Sequence, residues 1–319
     1  MTTSSAASSA ASSETSPAAA AGAARPAPPV DAHVHFWNPG PLSYPWLDAV
    51  PPLNRAFTAD DFADAVPEPL EAVFVEAGRV GGQAGDELEW VRGMARTRPW
   101  IRGAVAHVPL DDPTAAPAVI RAYADDPFVV GVRHNIQDEI AGFTRGADFR
   151  AGLDLLGRAG LPFDACVREH QLTELAELAE GYPRVRIVLD HLGKPSPAGS
   201  RAEWSRALRR LAHAPNTVCK LSGLATEADP GTPAEDLLAL LGEALEVFGP
   251  GRCLYGGDWP VMTLATSYGQ WLDLVRTALA GLPDSDAEAV LRTNAVRIYG
   301  LDRAGGTGTV PSATGEEPA

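Results

Sequence analysis

The sequence predicts an α/β protein of one domain, a closed (β/α)8 barrel, and three observations predict it. Eight short β-branched or apolar runs recur along the chain, and longer Ala/Leu/Glu/Arg-rich stretches with helical periodicity separate them. The starts of the runs lie about 23 to 41 residues apart, room for a right-handed crossover helix in each interval.

The predicted strands are Val30–His35, Glu71–Glu76, Ile101–His107, Val129–Arg133, Pro162–Val167, Val185–His191, Thr217–Leu221 and Arg252–Asp258. Predicted crossover helices are Glu87–Arg96, Pro117–Ala124, Arg150–Ala159, Gln171–Glu180, Ala202–Ala212 and Pro233–Phe248, with Tyr268–Ala280 and Asp286–Ile298 closing the ring. An open doubly wound sheet is the competing architecture, but no GxGxxG follows the first strand and there is no P-loop. In a barrel the loops after the strands build the site, so chemistry is expected at the carboxyl ends of strands.

The chain has 319 residues, and residues 1–28 are almost wholly Ala, Ser, Thr and Pro. Such a segment cannot bury enough apolar area to offset its ordering entropy, so it reads as a disordered leader. Residues 304–319 read as a disordered tail for the same reason, which leaves 29–303 for the barrel. The leader has no basic start and no Leu/Val/Ile-rich stretch, so secretion is not supported, and no run approaches the ~20 apolar residues of a membrane span. The net charge of −15 disfavours nucleic acid and anionic membrane as partners. Cys166, Cys219 and Cys253 are odd in number and widely spaced, giving no disulfide framework, so a reducing cytoplasm is expected. A homodimer is compatible with all of this.

Three segments carry chemistry. In Asp31-Ala32-His33-Val34-His35, strand alternation puts Asp31, His33 and His35 on one face, where two imidazoles can ligate one metal ion. A pair of hydrogen-bonded core histidines is the plainer alternative. In Leu189-Asp190-His191-Leu192-Gly193-Lys194 an apolar run ends in charge, placing His191 at the end of the sixth strand. Asp190 reads as a structural carboxylate that orients a neighbour, and Lys194 as either a solvated loop charge or a substrate contact. In Tyr255-Gly256-Gly257-Asp258-Trp259-Pro260, two glycines allow close backbone approach around Asp258, which could bind metal, take a proton from water, or cap a turn.

Taken in order and spacing, DAHVHFW, LDHLGKP, CKLSGLATEA and YGGDWPV resemble the amidohydrolase-related TIM-barrel hydrolases. More narrowly they resemble the branch with sugar lactonases such as L-fuconolactonase and L-rhamnonolactonase, together with 2-pyrone-4,6-dicarboxylate lactonase. The match runs from Val30 to Leu301. The resemblance implies that His33, His35, His191 and Asp258 form the catalytic constellation, with Asp258 as general base. The histidine that many relatives carry on strand five is displaced here to His170, so a binuclear site with a carboxylated lysine is not expected.

The expected reaction is opening of a cyclic ester, a sugar lactone, to an aldonic acid. One divalent ion, Zn2+ with Mn2+ as the alternative, would be held by His33 and His35 with help from Asp258 or Glu76; since some members work without metal, direct base catalysis by Asp258 stays open. Arg133, His170 and Lys194 are expected to contact substrate, and Trp37 and Trp259 to stack on a sugar face. Ser222 lacks a GxSxG context and reads as lining the pocket. Two rivals are a non-oxidative decarboxylase, which would want the strand-five histidine, and a catalytically silent binding barrel.

Overall fold

A computed structural model of the chain describes residues 1–2, 27–195 and 200–303. Eight parallel strands pair in sequence order: β1 Val30–Val34, β2 Glu71–Val75, β3 Ile101–His107, β4 Val129–Arg133, β5 Phe163–Ala165, β6 Ile187–Leu189, β7 Thr217–Leu221 and β8 Cys253–Tyr255. The seam between the last strand and the first is closed beyond the strands themselves. Asp258 N donates to the His33 carbonyl at 2.8 Å and His35 N to the Trp259 carbonyl at 2.7 Å. The result is a (β/α)8 barrel whose final closure is made by the histidine and aspartate segments. The expected disordered leader and tail lie almost entirely outside the described residues.

Around the strands run α1 Ala59–Ala65, α2 Ala84–Ala95, α3 Ala116–Ala124, α4 Ala147–Ala159, α5 Leu172–Gly181, α6 Arg201–His213, α7 Leu224–Glu227, α8 Ala234–Phe248, α9 Tyr268–Leu279, α10 Asp284–Glu288 and α11 Asn294–Tyr299. Their starts follow local chemistry. Thr58 and Asp61 form a reciprocal capping box at α1, and Ser267 and Gln270 do the same at α9. The α4 and α11 ends are set by Gly160 and Gly300 in left-handed conformation. Among the described residues no helix is long and apolar enough to cross a membrane.

Apolar side chains sort into two layers. An outer layer packs between strands and helices, and an inner layer fills the barrel with Val30, Ala32, Val73, Val75, Val105, Val130, Val188, Val218 and Leu254. Ala295, Ile298 and Tyr299 of α11 join the inner layer. The fifth strand breaks the pattern by contributing Asp164, whose carboxylate accepts from the Tyr299 hydroxyl at 2.9 Å.

Four expectations are corrected. Strands six and eight stop at Leu189 and Tyr255 instead of running to His191 and Asp258, because both of those residues take left-handed backbone, with φ of 54° and 60°. That geometry turns a side chain out of the ladder and is sparsely populated for residues with a Cβ. Asp31 does not share a face with the histidines: the register shifts between Asp31 and Val34, and Asp31 binds the hydroxyl of Tyr268 on α9 at 2.7 Å. The last predicted helix is interrupted by a π turn over Ala289–Thr293. Helix α1, unexpected from the sequence, offers only Ala59 and Phe62 as buried anchors, too few to show a period.

Packing between α4 and the loop after β3 is tight: a Cβ built on Gly152 would lie 2.4 Å from the Leu110 carbonyl oxygen. Gly152→Ala is expected to lower stability by about 1–3 kcal/mol through overpacking. Gly93→Ala, in a helix with open space around it, should raise stability by about 0.5–1 kcal/mol. Urea midpoints of the two variants check the opposite signs.

Candidate active site

The carboxyl ends of β1, β6 and β8 bring four side chains together. His33 Nε2 and His35 Nε2 lie 3.1 Å apart, and Asp258 Oδ1 is 3.7 Å from the first and 3.4 Å from the second. His191 Nε2 reaches the same oxygen at 3.8 Å. All four residues are buried.

Each ring is held from behind. His35 Nδ1 meets the Val75 carbonyl at 2.7 Å, and because a carbonyl only accepts, this nitrogen carries a hydrogen and Nε2 is the ring atom turned to the site. His191 Nδ1 pairs with the Ser222 hydroxyl at 2.8 Å. Ser222 thus stands behind the imidazole, with Gly223 beside it in left-handed conformation. A Cβ on Gly223 would fall 2.5 Å from His191 Nδ1, so only glycine lets the ring sit there.

Charge under the site is dense and dry. Lys220 on β7 is fully buried, with Nζ 2.5 Å from Asp164 Oδ2, 3.2 Å from Asp190 Oδ1 and 3.0 Å from His33 Nδ1. Burial and the Lys220 ammonium push the His33 imidazole well below its ordinary range, and burial brings His191 down to about 4 despite the nearby Asp258 carboxylate. Burial would raise the Asp258 carboxyl, but the surrounding imidazoles of His191, His35 and His33 overcome it and hold Asp258 below the usual carboxylate range. At neutral pH the site therefore offers neutral imidazole at His33 and His191 beside an ionised carboxylate.

Two imidazole nitrogens and a carboxylate oxygen brought this close together are the donor set of a divalent metal. His33, His35 and Asp258 could hold the ion, and His33, Asp190 and His191 make a second, overlapping group. The residues present fit such an ion on chemistry as well as spacing, since the Nδ1 hydrogen of His35 is committed away from the site.

The constellation opens into a cavity of about 370 Å3 lined by Trp37, Trp46, Arg133, Gln137, Lys194 and Val261 among others. A wider hollow of about 580 Å3 lies beside Pro28, Glu68, Arg276 and Arg292. It has no convergent imidazoles, so the chemistry assigns the site to the smaller cavity.

Other sequence candidates fare differently. Glu76 is engaged elsewhere: its carboxylate takes Arg133 Nε at 2.7 Å and Arg79 Nη1 at 3.2 Å, and neither group of side chains close enough to hold an ion includes it. Arg133 lines the cavity, held by Glu76 through Nε to the side chain and Nη2 to the backbone carbonyl. Lys194 also lines it, paired with Glu227 at 2.9 Å. Trp37 shows one edge to the cavity while its indole N–H is spent on the Leu53 and Arg55 carbonyls. Trp259 is core instead, packed on Phe36, Phe57 and Phe62 and absent from the cavity wall. His170 is exposed on a turn whose inward residue is Gln171, and it does not line this cavity. Lys220, Asp164 and Tyr299 escaped the sequence reading. The available signal was a lysine inside the apolar run of strand seven, at a position whose neighbour two residues back, Val218, is in the barrel interior.

A family model described as amidohydrolase matches residues 30–301. The chain is 35% identical over 295 residues to an L-fucono-1,5-lactonase of Burkholderia multivorans, covering 85% of this chain and 96% of that protein. It is 33% identical to an L-fucono-1,5-lactonase of Burkholderia ambifaria, over 87% of this chain and 97% of the relative. A crystal structure of an amidohydrolase from B. multivorans with bound zinc superposes with a TM-score of 0.76 at 32% identity, covering 86% of this chain and all of the other.

Glu76 provides the test of this assignment. Glu76→Ala should cost about 3–5 kcal/mol, because it strands buried guanidinium charge, while leaving divalent-metal affinity unchanged; a calorimetric titration with divalent ions that showed weakened binding would make Glu76 a ligand. The Glu76 carboxyl is burdened by burial yet drawn down to about 2 by Arg133 and Arg79, below its ordinary 4.5. Its stabilising contribution is therefore complete above about pH 4.5 and drains away between there and about pH 2. Acid denaturation of Glu76→Gln should be flatter than that of the parent in that window.

Proposed function

This chain belongs to the amidohydrolase family, and on that premise we propose that it opens the ester ring of a sugar lactone of the L-fucono-1,5-lactone kind to the hydroxy acid. The observation that carries the reading is the meeting of His33, His35, His191 and Asp258 beside one cavity.

Asp258, ionised and fixed through its backbone N–H to the β1 seam, takes a proton from water as the water oxygen attacks the lactone carbonyl. In this reading His191, braced by Ser222, and Arg133, which also lines the cavity, stabilise the tetrahedral oxyanion. Collapse breaks the bond to the ring oxygen, and the proton on Asp258 passes to that oxygen as it leaves. A divalent cation, zinc in this reading, would be held by His33, His35 and Asp258 and would supply Lewis acidity at this point.

Charge supports a neutral substrate. The cationic side chains that line the cavity, Arg133 and Lys194, are already paired with Glu76 and Glu227, while Asp138 and Asp258 add carboxylates. Asn135, Gln137 and Asp138 supply hydrogen-bond partners for hydroxyl groups, and Trp37 and Trp46 give an aromatic wall. The decarboxylase alternative is weakened because β5 carries Asp164, engaged by Lys220 and Tyr299, where an imidazole would be wanted.

Asp258→Asn should retain the fold and lose about 10²–10⁴ of turnover in a pH-indicator assay on aldonolactones. Chelation should abolish turnover and zinc restore it; turnover that survives chelation would replace the metal part of the reading with direct base catalysis by Asp258. Release of CO2 from aromatic acids, with no acid released from lactones, would overturn the lactonase reading itself.

A further inference from the structure

The fully buried Lys220 has no place in the chemistry above, yet its ammonium touches a candidate metal ligand. A buried ion pair is weak evidence for stability, since apolar packing of the same volume serves as well. Its position is more informative. His33 Nδ1 touches both Lys220 Nζ, at 3.0 Å, and Asp190 Oδ1, at 3.2 Å, and those two are 3.2 Å from each other.

An ammonium only donates and a carboxylate only accepts, so the two neighbours favour opposite tautomers of a neutral His33. The Asp190 carboxylate, buried without a hydrogen bond of its own among the described residues, draws the hydrogen electrostatically to Nδ1, which turns the Nε2 lone pair to the cavity. With Nδ1 bare the ring accepts from Lys220, and Nε2 carries the hydrogen toward His35 Nε2, 3.1 Å away. His35 has no such freedom, because Val75 fixes its Nδ1 hydrogen. Lys220 donates to Asp164, which also accepts from the Tyr299 hydroxyl inside the barrel.

We infer that Lys220 and Asp190 are opposed positioning residues that set the tautomer of His33: Asp190 favours the form able to ligate a divalent cation, and Lys220 favours the form that cannot. The inference rests on the reading of His33 and His35 as metal ligands. The balance between donor and acceptor sets how tightly the site holds its ion.

The direct test is histidine-selective 15N NMR of the full chain, stripped by chelation and then titrated with zinc, with His33 assigned by difference against His33→Gln. The stripped protein should show His33 Nδ1 unprotonated, and zinc should move the hydrogen to Nδ1. A hydrogen on Nδ1 in both states overturns the inference. In a zinc competition assay with a chromogenic chelator, Asp190→Asn should weaken affinity about 10–100-fold, the usual reach of residues behind a ligand. The pair Lys220→Met with Asp164→Asn, which removes the ammonium together with its clamping carboxylate, should tighten it. Unchanged or weaker affinity in that folded double variant argues for a structural role and against this one; should it not fold, the parent's spectra decide. A parent that binds no zinc removes the metal reading as well, whereas a parent that binds zinc with an unmoved tautomer removes this inference alone.

Discussion

The arrangement depends on the seam between the first strand and the segment after the last. Two backbone bonds, Asp258 N to the His33 carbonyl and His35 N to the Trp259 carbonyl, close the cylinder. They also fix the separation of the groups that converge on the site. Closure of the fold and assembly of the site are here one event. Side chains more than two hundred residues apart are brought together by the hydrogen bonds that any barrel must make to eliminate its edges. The register shift in β1 serves the same end, turning His33 inward while Asp31 faces out to tie Gly257 and Tyr268.

Burial then decides the electrostatics. In a dry interior an imidazole loses its proton readily, and a carboxylate stays ionised only when partners reward it. His33 and His191 are neutral for the first reason and Asp258 is charged for the second. The price is charge balance beneath the site, met by Lys220 between Asp164 and Asp190, and beside it by Arg133 and Arg79 around Glu76. Each of these groups is paired before any substrate arrives. The cavity can thus mix polar groups with an aromatic and aliphatic wall yet carry little free positive charge, which suits a hydroxylated neutral ring better than a dicarboxylate.

Strand order, the barrel and three of the site's segments were legible in the sequence, because each rests on a local pattern. Apolar runs at strand length alternate with helical periods, and His33, His35, His191 and Asp258 each stand where such a run gives out. Glu76 and Trp259 stand in equivalent places and read alike, but one is claimed by guanidinium groups from strand four and the loop after strand two, and the other by a nest of aromatic rings. No one-dimensional pattern carries that distinction. His170 shows the same limit: a strand that ends at Ala165 leaves enough chain for a turn that faces it outward.

By itself, then, the sequence determined the number and order of strands, the spacing of the crossovers and the residue types available at the rim, since these follow from periodicity, propensity and length. Only the tertiary structure decided which polar residues face one another: the bulge that reverses strand parity at Asp31, the left-handed turns that aim His191 and Asp258, and the pairing of Lys220 with two acids and an imidazole. Those outcomes depend on contacts between segments far apart in the chain, where the energy of a buried charge is set by whatever partner the fold delivers to it.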